Sequence, residues 1–490
     1  MENTVYGLFR QITEKHKAET AIIENSRRMT FGELSDMVDM IADSFPDGTK
    51  TVGIVMSHRA EMIASMLAVL KSGAMYVPAE PNFPRSRIRY MMQEAKVDFV
   101  LTELSYADRL EGLPLVYTDC QICTAAPGSQ VRIYRQEQDA LAYVLYTSGT
   151  TGHPKGVAVR NQNICHYVRA FADEFHPSVG DIMLQYSVCT FDIFVEEVFS
   201  SLLNGAAIAI PSEEDKQDIR TLMGFVERHG VTIISGFPYL LAEMNHLPAI
   251  PASLRLLISG GDVLRRHHVD NLLAKVRIYN TYGPSETTVC TSYYCCNDGG
   301  ILEDDTYPIG HPVKGSELLI LDEKGKAVPQ GKVGEICIMG GGVAQGYLNN
   351  AEADRHAFQT LPDGRQIYHS GDLGYFLPDG NLAFLHRKDT QIMIYGKRVE
   401  VMEVESQLYQ CRGVEQAVVR AFTDEGGLSY MIAYIVSSDK KLKVSDVRKE
   451  LAENLTDFMI PEFIIKMPQI PLNVNGKPDA SRLPVVMKAG

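Results

Sequence analysis

Between residues 50 and 280, short apolar runs alternate with amphipathic stretches. TVGIVMS (51–57) is almost unbroken in its apolarity, as a strand buried on both faces would be. HRAEMIASMLAVLKSG (58–73) then spaces its polar residues at helical intervals until Gly73 stops it. The pattern recurs with the strands DFVLTE, LAYVLYTSG, DIMLQYS, AAIAIP, VTIISGFP, LRLLISGG and VRIYNTYG. Helices are predicted near 161–175, from Asp192 to Asn204, over 218–229 and over 264–275. Such alternation implies right-handed crossovers and largely parallel sheets with helices on both faces. Ligands then collect at the carboxyl ends of strands. Three segments rich in Gly and hydroxyl residues fall at such ends: TSGTTG (147–152), SGGD (259–262) and NTYGPSE (280–286).

After about residue 300 the period shortens. SELLILDEKGKAVPQGKVGEICIMG alternates apolar and polar positions around Gly turns, which predicts antiparallel hairpins and a small barrel-like part. Residues 390–490 then read as a compact α+β unit, with helices near 400–411 and 444–455 and strands at 414–422 and 428–437. A chain of 490 residues is too long for one core. The fold class expected is therefore α/β: a large N-terminal domain of mostly parallel sheets, the barrel-like part, and a small C-terminal domain. No internal repeat or low-complexity segment interrupts it.

Composition narrows this little. A net charge of −14 without any basic run speaks against a nucleic-acid surface. The nine cysteines lack metal-ligand spacing: Cys120 and Cys123 make one C-x-x-C without a second pair, and Cys295 and Cys296 are merely adjacent. Reduced thiols in a cytoplasmic protein are the expectation. The charged N-terminus does not read as a signal peptide, and no run of about 18 apolar residues suggests a membrane span.

YVLYTSGTTGHPKG (143–156) carries more chemistry than any other stretch. Gly149 and Gly152 let backbone N–H groups approach a polyphosphate, Thr147, Ser148, Thr150 and Thr151 add hydroxyl donors, and Lys155 adds a positive charge. It is not the G-x-x-x-x-G-K-[ST] loop, because Gly156 follows Lys155.

With MTFGEL (29–34), LKSGAMYVPAE (70–80), FDIFVEEVF (191–199), NTYGPSE, GEICIMGGGVAQGYL (334–348), YHSGDL (368–373), HRKDTQIMIYGKRVEVMEVE (386–405) and NGKPDA (475–480), this loop forms an ordered set. The set resembles the adenylation domains of nonribosomal peptide synthetases, within the adenylate-forming enzymes. The resemblance implies a two-step reaction: a carboxylate attacks the α-phosphate of ATP, releasing pyrophosphate, and the thiol of a phosphopantetheinylated carrier protein then captures the acyl group. It divides the chain into an adenylation core, 1–388, and a mobile lid domain, 389–490, carrying Lys477. Lys477 would bridge carboxylate and α-phosphate. Tyr282 would stack on adenine, Ser285 meet the α-phosphate, and Glu286 hold Mg²⁺, a cation that wants hard oxygen ligands. Asp372 and Arg387 would hold the ribose, with Gly261, Asp262, Asn280, Thr281 and Gly283 lining the nucleotide. Asp389 would be the hinge, bringing Gly396, Lys397 and Arg398 into the site only for thioester formation. Departures from the family pattern are His386, Met393, Tyr395 and Ala480; those at 393 and 395 bear on carrier engagement.

Asp192 resembles the aspartate that pairs with the α-ammonium of an amino acid. Glu196 lies one helical turn on, with about 6 Å of axial rise between the two carboxylates. Ile193, Ser235, Ile258, Gly260, Thr281, Val289 and Cys290 complete a set similar to that associated with lysine activation: one extra carboxylate, small residues that leave length, and apolar walls. Ornithine and arginine fit nearly as well. D-Alanine:carrier-protein ligases resemble the chain in size and motif order, but a methyl pocket has no use for Glu196. An inherited fold without catalysis is disfavoured by Lys477, Glu286 and the loop hydroxyls. No condensation or carrier segment flanks the motifs, so either a stand-alone enzyme or an excised domain is expected.

Overall fold

The structure is a computed structural model that describes residues 3–119, 137–149, 154–388, 391–424, 427–471 and 482–486. The chain condenses into two compact units that divide at Lys388 and Asp389; the second also gathers residues 82–91 and 146–155.

The first unit contains two large sheets. In one, nine strands run in the order His311–Pro312, Ser292–Cys295, Arg277–Tyr282, Leu256–Ser259, Ile233–Gly236, Ile182–Leu184, Ala207–Ile210, Thr20–Glu24 and Arg27–Thr30, parallel through the middle and antiparallel at both edges. The other has seven strands, with Met75–Pro78, Thr51–Val55 and Phe99–Thr102 parallel at its centre. One apolar core joins both sheets: Ile54, Leu67, Tyr143, Phe171, Phe194, Phe199, Ile258 and Tyr279 all belong to it. A second core on the far face of the nine-stranded sheet takes in Leu222 and Phe225 from the helix Ile219–His229, and Leu240 and Met244 from the helix Pro238–Asn245.

Local chemistry explains the element ends. Gly73, in the left-handed conformation at φ +80°, closes the helix Ala60–Ser72. Asp218 caps Ile219–His229, accepting from the backbone N–H groups of Arg220 and Thr221. Residues 316–387 form a five-stranded antiparallel sheet with its own small core around Ile320, Ile336 and Tyr368.

Two helices differ from the periodicity. The stretch 264–275 forms the 3₁₀ turn Arg266–His268 and further tight turns. Asn245 competes for its backbone: Asn245 Nδ2 donates to His267 O (3.0 Å), and Asn271 N donates to Asn245 Oδ1 (2.8 Å). The helix opening at Asp192 is α only through Val195 and becomes a π turn over Glu196–Ser200.

The second unit builds a three-stranded sheet, Gln416–Thr423, Ser429–Val436 and Phe463–Met467, flanked by the helices Val401–Gln410 and Val444–Ala452. Val404, Leu408, Val419, Ile435, Val447 and Leu451 form its core. Its hairpin Gln391–Ile394/Lys397–Glu400 turns on Tyr395 and Gly396, both at positive φ (+50° and +72°). Among the described residues, no helix is long and apolar enough to cross a membrane.

Candidate active site

Parallel register brings the expected pocket residues to one sheet end. Ser235 stands beside Ile258, Gly236 beside Ser259, and Ser259 beside Asn280, so Gly260 and Thr281 emerge together at the carboxyl ends. A Cβ on Gly260 would lie 2.7 Å from Thr281 Oγ1, which confines that position to glycine. Thr281 Oγ1 donates to Ser259 O (3.2 Å). Ile193, Val289 and Cys290 are buried.

Asp192 and Glu196 occupy one turn, the Glu196 N–H donating to Asp192 O. Glu196 is 1% exposed; Asp192 keeps a window to solvent. Loss of hydration pushes the Glu196 carboxyl up to about 7, and the Asp192 charge adds to the rise, while hydrogen bonds from Ser235 and Tyr167 oppose it. Burial likewise lifts Asp192 to about 6, with Glu286 adding and Ser285 opposing through a hydrogen bond. Among the described residues, no lysine or arginine pairs with either carboxylate. The π turn beginning at Glu196 widens the helix where this side chain departs, a placement common at functional sites.

The turn Ser285–Thr287 carries the next group. Glu286 is fully buried and accepts from Tyr347 OH (2.7 Å), while its backbone O accepts from Ala344 N (2.8 Å). Thr288 and Val289 follow at φ +60° and +70°, costly for β-branched residues. Thr288 Oγ1 donates to Gly342 O (2.7 Å), and Thr291 N to Tyr282 O (2.7 Å), which hold the chain there. Gly283 admits this turn, since a Cβ would lie 2.3 Å from Val289 O.

Asp372 and Arg387 face one another across an antiparallel ladder. Arg387 Nη1 donates to Asp372 Oδ1 (2.6 Å), and Tyr282 OH donates to Asp372 Oδ2 (2.6 Å). A bulge sets this up: between Glu335 and Cys337 the partner strand advances from Leu373 to His369, and Gly371 takes φ +74°. Asn280 Nδ2 donates to Pro308 O (2.8 Å), Gly261 takes φ +77°, and Asp262 Oδ1 accepts from Val263 N (2.8 Å).

The phosphate-loop residues that are described belong to the second unit. Thr147 Oγ1 is buried without a hydrogen-bond partner. Ser148 Oγ donates to Arg398 O (3.0 Å), and Gly149 N donates to Glu403 Oε2 (3.1 Å). Lys155 opens the strand Lys155–Arg160. Lys397 Nζ lies 4.6 Å from the centre of the Phe458 ring, and Arg398 Nε donates to Gln391 Oε1 (2.6 Å). Thr150, Thr151, Gly152, Asp389, Lys477 and Ala480, with Cys120 and Cys123, lie outside the described residues.

Residues 9–348 match the family described as AMP-binding enzyme, and residues 403–477 match the AMP-binding enzyme C-terminal domain. The chain belongs to the AMP-binding enzyme family. It is similar to bacitracin synthase 2 of Bacillus licheniformis, 34% identical over 488 residues that cover 98% of this chain and 18% of that protein. Gramicidin S synthase 2 of Brevibacillus brevis is 34% identical over 506 residues, 99% of this chain and 11% of that protein. The chain thus spans less than a fifth of the length of these curated relatives. Among solved structures, holo-PA1221, an NRPS protein containing adenylation and PCP domains, superposes with a TM-score of 0.86 at 26% identity, over 98% of this chain and 83% of that one.

The candidate site contains groups that sequence reasoning missed. Tyr167, on the helix Asn161–Phe175, donates to Glu196, and nothing in an amphipathic helix singles it out. Tyr347 was visible only as part of GEICIMGGGVAQGYL. Glu197 turns out to hold the approach to Asp192: it accepts from Tyr186 N (3.2 Å), Ser187 N (3.0 Å), Ser187 Oγ (2.9 Å) and Gln185 Nε2 (3.2 Å).

Proposed function

We propose that this chain activates an amino acid, L-lysine, as aminoacyl-AMP in the cytoplasm and passes it to the pantetheine thiol of a carrier protein. In the first step a substrate carboxylate oxygen bonds to the α-phosphorus of ATP, and pyrophosphate leaves with the electrons of the broken P–O bond. In the second, the thiolate attacks the acyl carbon and AMP leaves. Like charges meet in step one, so cationic and donor groups at the reacting oxygens lower the barrier. Lys477 is the cation assigned to that task, with Ser285 at the α-phosphate and Asp372 and Arg387 at the ribose. A hard carboxylate oxygen, buried and oriented by Tyr347, suits Glu286 to Mg²⁺. The ion would supply charge neutralisation on the phosphates.

One observation carries the lysine reading: Glu196 is 1% exposed, one turn from Asp192, and meets hydroxyls rather than a cation among the described residues. Asp192 would take the α-ammonium and Glu196 the ε-ammonium. Buried carboxylates are costly unless paired, and a diammonium substrate completes both pairs.

ATP–pyrophosphate exchange, run with lysine, ornithine, arginine, glutamine and D-alanine, tests this. Glu196→Gln should cost lysine about 3–5 kcal/mol, roughly a hundredfold to a few thousandfold in kcat/KM, while neutral amino acids lose little. A wild type preferring D-alanine, with a profile indifferent to Glu196→Gln, would end the assignment. ATP binding without exchange against any acid would end adenylation itself.

A further inference from the structure

Glu335 and Cys337 stand two residues apart on the strand Gly334–Gly340 and share its face. Cys337 lies directly across the ladder from His369. Three different donor atoms converge as a result. Cys337 Sγ is 3.4 Å from His369 Nδ1, which is 3.5 Å from Glu335 Oε2, and all three lie within 4.8 Å of one another. Tetrahedral zinc, with bonds of about 2.0–2.3 Å, sets its ligand atoms about 3.4–3.6 Å apart.

The surroundings are ordered for the same chemistry. His369 Nε2 lies 3.3 Å from Gln359 Oε1. An N–H donated there leaves Nδ1 its lone pair, as metal-binding histidines require. Gly371 N donates to Glu335 Oε1 (3.0 Å), fixing the carboxylate with Oε2 toward the cluster. The Glu335 and His369 side chains are 17% and 23% exposed, so a solvent molecule can reach the fourth position. The competing cation is Lys388, whose Nζ is 3.4 Å from Glu335 Oε2 on a side chain 44% exposed.

We propose that Glu335, Cys337 and His369 form a three-ligand site for a borderline-soft divalent ion of the zinc class, separate from the oxygen-ligand site at Glu286. Binding displaces the thiol proton to solvent and the Lys388 ammonium from Glu335, leaving a thiolate, an imidazole and a carboxylate on the metal. The bulge at Gly371 ties the site to the strand that carries Asp372.

Cobalt(II) reports on it directly. The chelator-treated 490-residue chain titrated with Co²⁺ should take up one equivalent at this site, with a thiolate-to-cobalt charge-transfer band and tetrahedral visible absorption, both bleached by Zn²⁺. Cys337→Ser should remove the charge-transfer band, and His369→Gln should weaken binding at least tenfold. Gln359→Ala should weaken it about 10–100-fold. Lys388→Ala should tighten it, a change of sign that general damage to the fold would not produce. No band, a band that survives Cys337→Ser, or a Lys388→Ala variant that binds no more tightly would overturn the site.

Discussion

At the residue scale, the proposed lysine pocket makes Glu196 the determinant of both selectivity and pH response. Without substrate, the native state keeps Glu196 and Asp192 protonated up to about 7 and about 6, whereas the unfolded chain releases those protons near its ordinary range of about 4. The native state therefore binds more protons over that interval, and their contribution to stability falls as pH rises through it. Bound in the proposed way, lysine would reverse the sign, because its ammonium groups would select the ionised carboxylates. The rise in Tm caused by lysine should be small near about pH 5.5 and large near about pH 8, and Glu196→Gln should flatten the difference. Differential scanning fluorimetry across pH checks this; a lysine shift of equal size at every pH, or one unchanged in the variant, would contradict it. The Asp192–Glu196 spacing was legible because a helical period fixes which side chains share a face. Tyr167 was not, because its partnership with Glu196 depends on how two helices pack, and no local pattern encodes that.

At the element scale, hydrophobic period and caps located most strands and helices, including Asn161–Phe175 and Ile219–His229. Failures came where a side chain from elsewhere captured backbone groups, as Asn245 does at 267–271, or where the helix widened into a π turn at Glu196. That same turn buries Glu197. Glu197 gathers four donors from residues 185–187, just ahead of Asp192. Glu197→Ala strips the buried Ser187 N–H and hydroxyl of their acceptor, at about 3 kcal/mol or more. Thermal unfolding should drop by several degrees, and kcat/KM should fall for every amino acid alike. That uniform loss would distinguish it from Glu196→Gln, whose effect should be confined to lysine and its basic analogues. A Glu197→Ala variant with normal Tm and a changed substrate order would refute this division of labour.

At the scale of the whole molecule, order along the chain told more than any single motif. Nine segments in sequence pointed to the family, the change of period near 300 pointed to the antiparallel sheet within the first unit, and the compact α+β pattern after about 390 pointed to the second. What the pattern could not tell is that residues 82–91 and 146–155 cluster with the C-terminal unit, since such grouping follows from tertiary contact alone. The proposed reaction divides its labour by step. Lys477 acts on charge that develops as the carboxylate meets the α-phosphate, so Lys477→Ala should lower pyrophosphate exchange by orders of magnitude while leaving ATP affinity nearly unchanged. Asp389, the assigned hinge, belongs to the passage between half-reactions. Asp389→Pro fixes one backbone angle and should spare pyrophosphate exchange far more than aminoacyl transfer to a carrier thiol. Equilibrium ATP binding, exchange, and single-turnover loading of a carrier with labelled lysine separate the three quantities. If Lys477→Ala loses ATP affinity in proportion to rate, the lysine serves ground-state binding instead. If Asp389→Pro loses both half-reactions equally, no rotation at that residue separates them, and one arrangement of the chain must serve both steps.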